Sequence, residues 1–201
     1  VCSSDLQSVA LSSADLGTGA NQLGNGLITV TVVATDAAGN ASAAGQTTFT
    51  LDTTAPTNSG STTFSTTGAI TFGLSESVVV TSSSGFSAVL NPNEGNGYNG
   101  TALALDPFTG TSVLTTAPSV TTTLSESDVV RVRYDGSGGV KDAAGNPLAG
   151  QEVYIGGSAA NTIDLSNYGS NLTQILRGNG GNDSLTGTWR SEEHTSELQS
   201  R

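Results

Sequence analysis

The pentapeptide Asp36-Ala37-Ala38-Gly39-Asn40 returns letter for letter at Asp142-Ala143-Ala144-Gly145-Asn146, an offset of 142 − 36 = 106 positions, and each copy lies between two strand-like runs. Ahead of the first copy, Gly26 to Asp36 reads GLITVTVVATD. Ile28, Val30, Val32 and Ala34 alternate there with Thr29, Thr31 and Thr35, the period-two pattern of a half-buried strand. After the turn, Thr47, Phe49 and Leu51 make the inward face of a returning strand. Thr53-Thr54-Ala55-Pro56 ends it, because proline has no N–H for a ladder. The second copy has the same setting: Asp128 to Tyr134 reads DVVRVRY, with Val130, Val132 and Tyr134 on one face and Arg131 and Arg133 on the other, and Val153 and Ile155 return. Gly and Asn suit the turn because both tolerate positive φ. An offset of this size is close to the roughly 100 residues of a two-sheet β-sandwich. It implies tandem domains rather than a short-period solenoid.

Further strands are expected between the copies at Ala69 to Leu74, Ser77 to Thr81, Phe86 to Leu90, Thr101 to Leu105 and Val120 to Leu124, separated by turn-rich pieces such as NPNEGNGYNG at Asn91 to Gly100. No window keeps a helical period. The expected fold class is all-β, with residues 7–55 supplying only the last strands of a first sandwich and residues 56–155 forming a second.

The two ends stand apart. Val1-Cys2-Ser3-Ser4-Asp5-Leu6 can be encoded by gtg-tgc-tct-tcc-gat-ct, whose reverse complement, aga-tcg-gaa-gag-cac-ac, encodes Arg190-Ser191-Glu192-Glu193-His194-Thr195. Residues 1–6 and 190–201 therefore read as adapter-like scars around a DNA insert, and are set aside from fold reasoning. The expectation is an internal piece of a longer protein. The only cysteine, Cys2, and the only histidine, His194, lie in those scars. Residues 7–189 thus offer no disulfide framework or thiol nucleophile. They also lack the commonest general base and zinc ligand. That segment carries four basic residues against thirteen acidic ones, a net charge of 4 − 13 = −9. Such a charge repels nucleic acid and anionic membranes and suits cations.

ATDAAGN followed by TFTLDTTAP resembles the ending of a bacterial immunoglobulin-like repeat of large surface adhesins. LSESVVV and VRYDGSGGVKDAAGNPLAG make the second domain similar to a related type. The resemblance spans residues 7–155 and implies an immunoglobulin-like β-sandwich, preceded by a partial one. It says little about function, since the fold hosts many roles.

Leu176 to Gly187 reads LRGNGGNDSLTG. It resembles one unit of the repeats-in-toxin (RTX, hemolysin-type) calcium-binding family, G-G-x-G-x-D-x-U-x with U a large apolar residue. Gly178, Gly181, Asp183 and Leu185 fall in register, and Asn179 replaces the second glycine. The resemblance implies the start of a parallel β-roll over residues 156–189 and calcium as ligand, held in loops that supply hard oxygen atoms. Asp183 would give a carboxylate, Gly178, Gly180 and neighbours such as Asn182 would line the partial site, and Leu185 would enter the core. GGSAANTIDL at Gly156 to Leu165 resembles a degenerate opening unit, with Ile163 in the apolar place, Ala159 for glycine and Asn161 for aspartate, hence a weaker ligand. Residues 165–176 are expected to be a capping loop or strand.

A second calcium location is conceivable at Asp36 or Asp142 with Asp52, against the plainer expectation that these side chains satisfy turn backbone groups. Paired carboxylates, Glu126 with Asp128, or Glu76, are the only acid–base apparatus, and no nucleophile–base pair accompanies them. The expected function is therefore non-catalytic. It is that of a secreted or surface-attached bacterial repeat protein, exported by a type I pathway, with sandwich spacers, calcium-dependent roll folding and a role in adhesion to a host surface or glycan. No nucleic acid partner and no membrane insertion is expected. The alternatives are a non-catalytic region of an RTX exoenzyme (protease or lipase), or a carbohydrate- or receptor-binding module using the loop at Asn91 to Gly100.

Overall fold

A computed structural model describes residues 23–60, 62–92, 100–116, 123–137, 139–187 and 193–194. The chain divides into two compact units, Val1–Thr54 and Ala55–Arg201. The protein is all-β, with no helix among the described residues.

The first unit is a hairpin of β1 (Gly26–Val32) and β2 (Gly45–Leu51), antiparallel from Gly26↔Leu51 to Val32↔Gly45. Partners across an antiparallel pair share a face. Ile28, Val30, Val32, Phe49 and Leu51 therefore line one side, while Thr29, Thr31, Thr48 and Thr50 line the other.

The second unit holds β3 (Thr63–Phe64), β4 (Ile70–Gly73), β5 (Val78–Val80), β6 (Phe86–Leu90), β7 (Thr101–Leu103), β8 (Val113–Thr115), β9 (Val129–Tyr134), β10 (Val140–Asp142), β11 (Gln151–Gly156), β12 (Thr162–Asp164), β13 (Thr173–Arg177), β14 (Ser184–Thr186) and β15 (Glu193–His194). Six strands make the main sheet, in the order β15-β13-β11-β9-β6-β7. Opposite it lie the β3-β4-β8 sheet and the β5-β10 pair. The core between them takes Ile70 and Phe72 from β4, Leu114 from β8, Val130, Val132 and Tyr134 from β9, and Val153 and Ile155 from β11. Phe86 is the hub of its aromatic part, with ring centroids 5.6 Å from Phe72, 4.4 Å from Phe108 and 4.6 Å from Tyr134.

The expected strands at Ala69 to Leu74, Ser77 to Thr81, Phe86 to Leu90 and Thr101 to Leu105 are present; β6 keeps its expected bounds, β4 and β5 are trimmed at both ends, and β7 ends two residues early. The expected strand at Val120 to Leu124 falls partly on residues 117–122, outside the described residues. Leu124 itself is in irregular chain, buried, its N–H donating to the Thr66 carbonyl at 3.1 Å. β3, β8 and β10 were not expected; they are two or three residues long, too short for an alternation to show.

After β11 the chain changes direction of pairing. β13 lies parallel to β11 with Gln151↔Thr173, and β14 lies parallel to β12 with Thr162↔Ser184. Both offsets are 22 residues, since 173 − 151 = 184 − 162. Two successive rungs are therefore stacked. Tyr154, Ile163, Leu165 and Leu176 form a second apolar cluster between them, with Val129, Tyr168 and Leu185 packed against it. Strand alternation explains the sharing of β11: Val153 and Ile155 point into the sandwich, Glu152 and Tyr154 to the other side. Residues 165–172 form the loop between rungs. The Tyr168 hydroxyl donates to Glu152 Oε1 at 3.3 Å and holds the loop to the sheet. From β13, Arg177 Nη2 donates to Asn58 Oδ1 at 3.1 Å, a buried link back to the start of the unit. β15, within the tail set aside as a scar, pairs parallel with β13.

Candidate metal centre

The 22-residue stack places Asn161 against Asp183, the residues at the same station of their two turns. The Asn161 N–H donates to Asp183 Oδ1 at 2.9 Å, and the Ser184 N–H donates to the Asn161 carbonyl at 2.8 Å. In each rung this side chain folds back across its own turn onto a glycine. A Cβ on Gly156 would stand 2.5 Å from Asn161 Oδ1, and one on Gly178 would collide with Asp183 Oδ2. Those two glycines are thus required by close approach, without any need for positive φ. Gly181 is required on both counts: its φ is +98° and a Cβ there would lie 2.5 Å from the Ala159 carbonyl oxygen. Asn179 has a left-handed backbone, φ +62°, and its Nδ2 donates to the Gly156 carbonyl at 2.8 Å. An asparagine suits that conformation better than most side chains.

Four of the expected residues therefore meet on the two turns: Gly178 buried, Gly180 packed on Ser158, Asp183 half-exposed and Asn161 4% exposed. Asn182 lies on the same turn, exposed. Asn161 Oδ1 is buried and accepts no hydrogen bond, while its Nδ2 donates to the Asp128 carbonyl at 3.4 Å. Such an orphaned oxygen is costly in a native fold and calls for an explanation. The Asp183 carboxylate and the Asn161 amide oxygen are both hard oxygen atoms, a chemistry that suits calcium-type cations rather than zinc or copper.

Glu126 closes the first turn. Its Oε2 accepts from the Ser158 hydroxyl at 2.6 Å and the Ser158 N–H at 3.1 Å, and its carbonyl accepts from the Ala159 N–H at 3.1 Å. The Ser158 hydroxyl, then its N–H, hold the Glu126 carboxyl below the ordinary range. Asp128 accepts from Asn91 Nδ2 at 2.8 Å and the Ser125 N–H at 2.7 Å. Glu126 and Asp128, the acid–base pair considered from sequence, thus serve two different turns.

The repeated turns agree bond for bond. The Asp36 N–H donates to the Asn40 carbonyl at 3.0 Å, and the Asp142 N–H to the Asn146 carbonyl at 3.1 Å. Asp36 Oδ1 and Oδ2 accept from the Asn40 N–H and Nδ2, both at 2.9 Å; Asp142 does the same with Asn146 at 2.8 and 2.7 Å. Gly39 and Gly145 carry φ +90° and +97°. Turn chemistry accounts for both aspartates. Asp52 caps its own segment, accepting from the Thr54 N–H at 2.9 Å. Glu76, which sequence reasoning connected to no metal, brings a carboxylate oxygen within 4.8 Å of Asp142. No local pattern links residues that far apart in sequence.

Asp142 is 5% exposed, and burial works against its charge. Hydrogen bonds from the Asn146 side chain and from backbone N–H groups outweigh that and hold its carboxyl below the ordinary 3.8. A depressed folded-state pKa stabilises the fold above the unfolded value, and the contribution is lost as pH falls through the folded one. Asp142→Asn is therefore expected to flatten the acid limb of the second unit's stability below about pH 4, as read by denaturation at successive pH values. An unchanged acid limb would contradict this.

The outer face of the main sheet carries the remaining polar groups. Register aligns Arg133, Glu152 and Gln174 in one row and Arg131, Tyr154 and Leu176 in the next. Arg131, Glu152, Tyr154 and Gln174 are all buried, and Arg133 Nε stands 3.8 Å from Glu152 Oε1. Burial, reinforced by the Glu152 charge, pushes the Tyr154 phenol well above its ordinary value of 10.

No family model matches this chain, and neither a curated protein nor a solved structure matches it.

Proposed function

We propose that this chain is a non-catalytic part of a large secreted or surface-attached bacterial repeat protein, with immunoglobulin-like spacer domains leading into a calcium-responsive RTX-type roll and a role in adhesion. The observation that supports the calcium reading is the parallel stacking of two glycine-rich turns 22 residues apart, with Asn161 and Asp183 at the same station. Calcium takes about 6–8 oxygen ligands. Two turns with a single carboxylate supply part of such a shell. The carboxylate keeps acceptor capacity beyond its bond from Asn161, because each oxygen has two lone pairs. Binding energy then adds to the folding energy of the stacked turns. Adhesion rests on the resemblance of residues 7–155 to adhesin repeats.

The full chain should bind calcium weakly, with a Kd on the order of millimolar, the range of extracellular modules. Calorimetry and circular dichroism of the full chain, with Asp183→Ala beside it, test this. A calcium-dependent gain in ordered β-structure that Asp183→Ala abolishes is expected. Equal calcium responses of the two proteins, or no response up to about 10 mM, would sink the proposal.

A further inference from the structure

Pair for pair, the hairpin of the first unit repeats the one that closes the second unit's core. Ile28 faces Phe49, Val30 faces Thr47 and Val32 faces Gly45. In the second unit Val130 faces Ile155, Val132 faces Val153 and Tyr134 faces Gln151. The returning-strand residues Gly45, Thr47 and Phe49 stand 106 positions before Gln151, Val153 and Ile155. The bridge Thr35↔Ala41 likewise recurs at Lys141↔Pro147.

Their surroundings differ. Val130, Val132, Tyr134, Val153 and Ile155 are completely buried, in one core with Ile70, Phe72 and Leu114 of β4 and β8. The matching face of the first unit is open, with Val30 38% and Val32 62% exposed and Ile28, Phe49 and Leu51 half-buried. A two-stranded hairpin alone is marginal in water. An alternating apolar face of this kind is a surface to be covered.

We infer that the Ile28, Val30, Val32 and Phe49 face is a docking surface for an antiparallel β-layer of the kind that β3, β4 and β8 form, presenting alternate aliphatic and aromatic side chains. The occupant follows from the repeat, since identical turns and matched pairs call for the same cover. A second copy of the hairpin is a poorer occupant. Its own Thr47 and Gly45 are small, whereas the layer over the matching face of the second unit brings large side chains such as Phe72 and Leu114. This inference is independent of the calcium reading.

The test places a copy of residues 55–124 directly ahead of Leu23 in the chain. Ile28 then follows Leu124 at the interval at which Val130 follows it in the second unit, six positions in both cases. Amide hydrogen exchange over β1 and β2 should slow on the order of a hundredfold or more, as open hairpin amides become core amides. Val32→Asp in the extended chain should restore fast exchange. Unchanged exchange in β1 and β2, or protection that survives Val32→Asp, overturns the inference. So does concentration-dependent protection in the unextended chain with a matching dimer on sedimentation, which would make a second copy the occupant. A separate measurement needs no added segment: binding of a hydrophobic dye by the unextended chain should fall in Val32→Asp, and equal dye binding would mean that the face is not available.

Discussion

Phe72→Ala should destabilise the second unit by about 3–5 kcal/mol, the cost of emptying an aromatic site in a packed core. Phe72 is completely buried on β4, its ring set edge-on to Phe86 at an interplanar angle of 78°. The loss has two parts. Apolar area is returned to water on unfolding less profitably, and the cavity left between the two layers cannot collapse onto strands whose ladders are fixed. Aromatic edge-to-face contact adds about 0.5–1.5 kcal/mol beyond area. Domains of this size are stable by only about 5–15 kcal/mol. The variant should therefore show a strongly lowered denaturant midpoint, with an unchanged slope if unfolding stays two-state. A midpoint within experimental error of the parent would contradict the layer arrangement.

Asn161→Asp is expected to change stability in opposite directions with and without calcium. Without the ion, a second carboxylate is placed at a 4% exposed position whose own N–H already binds the Asp183 carboxylate at 2.9 Å. Two like charges and the loss of solvation oppose the stacked turns. With calcium, the same carboxylate becomes a further charged oxygen ligand. Affinity should rise on the order of tenfold, about 1.4 kcal/mol, in line with tuning of such sites by ligand charge count. Thermal unfolding of the parent and the variant, each in chelator and in calcium, measures both effects. A shift of the same sign in both conditions would remove the two-turn site from consideration, whatever Asp183→Ala does.

Short-range chemistry made part of this protein legible. The Asp-Ala-Ala-Gly-Asn turn is readable because its bonds all lie within five residues: Asp36 or Asp142 accepts from the side chain and backbone four positions on, and the glycine supplies a positive φ. β1, β2 and β9 were readable because their alternation runs through strands of six or seven residues. β3 and β8 were not, because two or three residues show no period. Leu124 was expected at the end of a strand over Val120 to Leu124, yet it fills the core from irregular chain. Asp183 and Gly178 were visible as a motif, and Asn161 as its weaker counterpart. The contact between Asn161 and Asp183 depends on a stack of two rungs that the intervening loop spaces by 22 residues.

Arg131 and Glu152 show the same limit. Alternation puts both on the outer face of the main sheet, the side away from the sandwich core. The structure covers that face. β13 lies alongside β11, the loop with Tyr168 reaches Glu152, and the rung cluster packs over Tyr154. The two hairpins make the contrast sharpest. Nearly the same pattern of residues is exposed in the first unit and buried in the second. Which residues alternate, turn and cap was determined by the sequence itself, since those interactions close within a few residues. Which faces are covered, and which carboxylates come together, was decided by the tertiary structure, because each requires a partner that lies tens of residues away.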